Sequence, residues 1–85
     1  MNIDEIAGKV QDEITTLYQN REQEGLEAYM PLIKEIITII SPYTSSHGAL
    51  VQDVLTTIQS AVEAYKHSDM IGMADALELI MGRIS

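Results

Sequence analysis

An all-α fold, an up-down four-helix bundle built from two repeated helical hairpins, is what this chain of 85 residues predicts. Three observations carry that expectation. Apolar residues recur at spacings of three and four along most of the chain, the period of a helix with one buried face. Turn-forming residues gather densely in a single place, Ser41-Pro42-Tyr43-Thr44-Ser45-Ser46-His47-Gly48, near the middle of the chain. The stretch Tyr18 to Ile37 matches Tyr65 to Ile84 at a constant offset of 47 residues, pairing Tyr18 with Tyr65, Gly25 with Gly72, Leu32 with Leu79, Ile33 with Ile80 and Ile37 with Ile84.

The first helix is expected over Ile3 to about Gln19, with Ile3, Ile6, Ala7, Val10, Ile14 and Leu17 on one side. Asp4, Glu5, Asp12, Glu13, Thr15 and Thr16 fall on the other, which reads as solvated. Asn20 followed by Gln23 forms a reciprocal cap for a second helix from about Arg21 to Ile40. Pro31 lies inside that span, so the helix either kinks there or begins near Glu27. The third helix, Gly48 to Lys66, collects Val51, Val54, Leu55, Ile58, Ala61, Val62 and Tyr65 on one face. Ser68, with Asp69 adding charge in the first turn, is expected to cap a fourth helix that runs to Ile84. The result is one helical domain over residues 1–85, with hairpins at 3–40 and 48–84. The competing arrangement is a pair of hairpins that pack only by dimerising.

Composition narrows function further. A domain of this length buries only roughly 60 to 65% of its unfolded surface, which disfavours a deep enclosed active site. The formal charge of −8 comes from 13 acidic residues against five Lys and Arg. It is spread along the chain and argues against nucleic acid or an anionic membrane as partner. No cysteine is present, so disulfides and thiolate zinc sites are excluded. Met1-Asn2-Ile3-Asp4-Glu5 has neither a basic segment nor an apolar run, which reads as a cytoplasmic protein.

The second helix carries more apolar residues than one stripe needs: Tyr29, Leu32, Ile36, Ile39 and Ile40 stand beside the repeat-matched Leu26, Met30, Ile33 and Ile37. On a helical wheel Leu32 and Leu79 both lie roughly 130 to 150° from the centre of their own stripe at 100° per residue, with Ile71 on a neighbouring flank. Leu32, Ile36, Ile39, Ile71 and Leu79 are therefore the candidate contact residues for a protein partner or a second copy. Met30, Met70, Met73 and Met81 read as core filling in a chain without Phe, ahead of an adaptable peptide groove.

Nothing in the sequence spells out catalysis or a cofactor. His47 and His67 are the only imidazoles, and Glu63 with His67 supplies two metal ligands where roughly four are wanted. A histidine-dependent phosphotransfer or metal-binding domain is the alternative reading. Gly72-Met73-Ala74-Asp75-Ala76-Leu77-Glu78-Leu79 is similar in outline to the prosthetic-group segment of acyl carrier proteins, but Ala76 stands where the modified serine is required. Asp69 followed by Ala74-Asp75-Ala76-Leu77-Glu78 resembles small all-helical proteins of Gram-positive bacteria. That resemblance implies a helical fold and no established activity. Flagellar export chaperones offer an analogy of size, acidity and helix content, holding an apolar partner helix in a groove.

Overall fold

The computed structural model describes residues 3–84. Residues 1, 2 and 85 of the expected domain and the side chain of Ile3 fall outside that description. The chain forms α1 (Ile3–Tyr18), α2 (Glu22–Ile40), a short 3₁₀ turn at Ser41–Tyr43, α3 (Gly48–Lys66) and α4 (Met70–Ile84). No strand occurs among the described residues. Each hairpin packs on itself, α1 lies against α4, and the α2–α3 seam is the loosest of the four. This is the four-helix bundle that the periodicity predicts.

Both tight turns use the same device. At the end of α1 the Asn20 N–H donates to the Leu17 carbonyl and the Arg21 N–H to the Thr16 carbonyl. At the end of α3 the Ser68 N–H donates to Tyr65 and the Asp69 N–H to Ala64. Asn20 (φ 60°) and Ser68 (φ 53°) are the left-handed residues that such a helix stop requires. The expected caps are thereby corrected. Asn20 ends α1 instead of capping α2, and α2 begins without a side-chain cap. Asp69, not Ser68, caps α4, its Oδ1 accepting from the Gly72 N–H at 3.0 Å. The Ser46 hydroxyl bonds the His47 ring, and α3 begins without a side-chain cap.

These turns also fix the true register of the repeat. Thr16 answers to Ala64, Asn20 to Ser68 and Arg21 to Asp69, each pair 48 residues apart, whereas the identities align at 47. At 48 the buried residues correspond: Ile6 with Val54, Val10 with Ile58, Tyr29 with Leu77 and Leu32 with Ile80. A slip of one residue turns a helix by about 100°, so matching by identity points one hairpin's residues the wrong way.

The core follows the corrected register. Tyr29, Leu32, Ile33, Ile36 and Ile40 are buried on α2, while Leu26, Met30, Ile37 and Ile39 pack partly buried at its flanks. The apparent surplus on α2 is therefore its centre. On α3 the expected face is shifted too, with Leu55 exposed and Thr57 buried. Tyr29 reaches across the bundle to donate its hydroxyl to the Met73 carbonyl at 3.0 Å, and its ring stacks on Tyr65 at 6.0 Å between centroids. Met73 is fully buried, and Met30, Met70 and Met81 pack against the core.

α2 is continuous through Pro31, which excludes a start near Glu27. Proline lacks an N–H, so the Glu27 carbonyl loses its ladder donor. Pro31 is exposed, which keeps that carbonyl within reach of water.

Gly8 and Gly82 sit inside helices with nothing within 4 Å of where a Cβ would stand. Gly8→Ala and Gly82→Ala are each expected to stabilise the chain by about 0.5 to 1 kcal/mol by removing backbone freedom from the unfolded state. Urea melts would measure the gain, and a loss of stability would contradict the open surroundings.

Candidate interaction surface

The five proposed contact residues part company in the structure. Leu32, 6% exposed, and Ile36, wholly buried, belong to the core and are unavailable to a partner, because the register places them where α4 has Ile80 and Ile84. Ile39 is half-buried at the flank of the core. Ile71 and Leu79 are each 56% exposed on α4. These two alone among the five remain as surface residues.

Their exposure follows from the composition of α4. Its fifteen residues include only three charged side chains, Asp75, Glu78 and Arg83, so apolar residues extend beyond the arc that α1 and α3 cover. Met73, Leu77 and Ile80 point inward, leaving Ile71 and Leu79 outside with Asp75 and Glu78 between them. Tyr18 reaches over from α1 with its hydroxyl 3.5 Å from the Asp75 carboxylate and 3.4 Å from that of Glu78. Loss of hydration, then the negative Glu78 and Asp75, hold its phenol above the ordinary value. Arg83 is drawn toward α3, 3.6 Å from Asp53. The outer face of α4 is thus apolar with an acidic middle.

Leu79 also stands on the rim of a groove of about 510 Å³ between α3 and α4, with Thr56, Ser60, Ala64 and Ala76 along its walls. Small residues line it because α3 and α4 approach closely: a Cβ on Gly72 would come within 3.3 Å of the Ala64 methyl. The equivalent groove between α1 and α2 encloses about 440 Å³ and includes Lys9, Asp12, Glu13, Ala28, Pro31 and Leu32. Glu13 is the residue that periodicity misplaces. Expected in solvent, it is 5% exposed, because α1 packs against both α2 and α4 and buries a wider arc than one stripe. Its Oε2 is sealed from solvent without a hydrogen-bond partner. Burial pushes its carboxyl up to about 7. The Tyr29 phenol is held far above its normal range, first by burial and then by the charge of Glu13.

Both histidines are exposed. His47 Nδ1 lies 2.9 Å from the Ser46 hydroxyl, with the Tyr43 ring edge-on at 5.9 Å, and His67 sits 3.5 Å from Glu63 one turn away. No group of three His, Cys, Asp or Glu that could hold a metal ion occurs among the described residues. No described helix is long and apolar enough to cross a membrane. Compared with known proteins, the chain matches no family model, no curated protein and no solved structure.

Proposed function

We propose that this protein is a non-catalytic helical interaction module whose outer α4 face, Ile71 and Leu79 about Asp75 and Glu78, receives an amphipathic helix of a basic partner protein. The observation that carries this reading is the pair of large aliphatic side chains left more than half exposed on one helix beside carboxylates. Burying both would remove apolar surface from water at roughly 25 cal/mol per Å². The carboxylates would select a partner with Lys or Arg flanking its apolar stripe. A second copy fits less well, because each chain carries −8 and the two faces would bring like charges together.

The test is a fluorescence titration against a synthetic amphipathic helix with leucines at spacings of three and four and lysines on both flanks. Saturable one-to-one binding is expected, weakened by salt and reduced at least tenfold by Ile71→Asp with Leu79→Asp, which leave helix content unchanged. Tenfold corresponds to about 1.4 kcal/mol. Equal binding by the double variant would remove the α4 face from consideration. A dimer in sedimentation equilibrium that the same variant dissolves would assign the face to self-association.

A further inference from the structure

Glu13 is the one acidic side chain that the fold encloses among the described residues, and its Oε2 is sealed from solvent with no donor to bond it. A protonated carboxyl tolerates that position far better than an ionised one, because a charge deprived of both water and a partner is the costlier species to enclose. Its proton and its burial are therefore linked. The chain offers the charged form no remedy in place. On α1, Lys9 one turn earlier is held by Glu35 of α2 at 3.0 and 3.1 Å, and Asp12 is a further negative charge. From α2 come the Tyr29 phenol, already committed to the Met73 carbonyl, and Glu24 and Glu35 along the cleft edge. α4 turns Met73, Ala74, Ala76, Leu77 and Ile80 inward, while its Asp75 and Glu78 lie outside beneath Tyr18. No ion pair to Glu13 forms among the described residues. Hydration is what the carboxylate needs.

Water reaches Oε2 only if a neighbouring helix moves, and the packing decides which one. α4 is fixed by α3, the closest pairing in the bundle, whereas α2 rests on α1 and meets α3 only along the loosest seam. The segments at either end of α2, residues 18–24 and 41–49, are exposed throughout. Its polar ties to other helices, among the described residues, are the surface pair Lys9–Glu35 and the Tyr29 hydrogen bond to Met73. The surface pair contributes little. α2 is thus the helix that yields at least cost.

We propose that α2 is a proton-controlled gate: with Glu13 protonated it closes the bundle, and with Glu13 ionised it parts from its neighbours, letting water in and baring Tyr29, Ile33 and Ile36. In the open form α3 and α4 stay paired, with α1 against α4. The carboxyl is raised from 4.5 to about 7 only while it is enclosed, so the closed form is favoured in full below about 4.5 and progressively less as pH rises through 7. Between pH 5.5 and 8 the opening equilibrium grows roughly 30-fold. The gate does not depend on the reading of the α4 face.

Amide hydrogen exchange resolved by helix, at pH 5.5 and 8 with rates referred to the unstructured chain, tests the gate. Protection in α2 is expected to fall roughly 30-fold between the two pH values, and at pH 8 to lie about tenfold or more below that of α3 and α4. In Glu13→Gln the fall disappears, although every other titrating group is common to the two proteins. Tyr29→Phe, which unties α2 from Met73 and keeps Glu13, lowers α2 protection at both pH values and retains the fall. Equal protection of α2, α3 and α4 at pH 8 would mean that the molecule opens only as a whole, and would overturn the proposal. So would a fall of the same size in Glu13→Gln, which would place the responsible group elsewhere.

Discussion

Glu13→Gln stabilises the folded chain at pH 8 by up to about 3 kcal/mol, by less than about 1 kcal/mol at pH 5, and leaves it almost unchanged below about pH 4. The sign follows from where the proton prefers to sit. Burial raises the folded-state carboxyl from 4.5 to about 7, so between those values the folded chain binds a proton that the unfolded chain releases. Stability from this group is complete below about 4.5 and is lost as pH rises through 7. At about 1.4 kcal/mol per pH unit the loss approaches 3 kcal/mol. Glutamine, a neutral stand-in for the protonated acid, suffers none of it. Thermal melts at pH 5, 6, 7 and 8 would trace the divergence, with roughly 4 to 8 °C for each kcal/mol in a domain of this size. Parallel curves for the two proteins would mean that Glu13 is hydrated and ordinary. General charge repulsion cannot imitate the result, because the other 12 acidic residues are common to both chains.

Tyr29→Ala is expected to cost about 3 to 5 kcal/mol, a large share of what a small domain possesses. The ring is wholly buried, stacks on Tyr65 and fills the broad α2–α3 seam, which no small residue can close. Tyr29→Phe isolates the hydroxyl. It removes the bond to the Met73 carbonyl but keeps the packing, and that carbonyl retains its own helical partner, so the cost falls to about 1 kcal/mol. Urea melts of the two variants separate ring from hydroxyl. Comparable losses would mean that the bond across the bundle matters more than the volume. An alanine variant that is already unfolded without urea would agree with the larger figure.

Helix number, helix order and most boundaries were legible in the sequence because each depends on local rules: apolar spacing, a proline stop, and short polar junctions. α1, α3 and the ends of α2 and α4 fall within one or two residues of the periodic reading. The exposure of the five candidate contact residues was legible only in part. Ile71 and Leu79 are exposed as their positions on the wheel imply, but Leu32 and Ile36 are core residues. Identical residues set the repeat one position away from the register of the turns, and a helix translates that small step into a large rotation. Glu13 was hidden for another reason. A residue beside a stripe is buried or exposed according to how many neighbours its helix touches, and α1 touches two. Spacing alone holds no record of that number.

The matching turns at Asn20 and Ser68 have an outcome for how this molecule tolerates change. They fold two dissimilar halves into one near-symmetric frame, so the same external furrow arises twice while its contents differ: an acid set deep in the first, an outward leucine at the rim of the second. Alterations confined to either furrow share no side chains with the other, and their energetic effects should therefore add. Each half is free to acquire its own ligand as though it were a separate small protein, with the common interior as the only constraint on both.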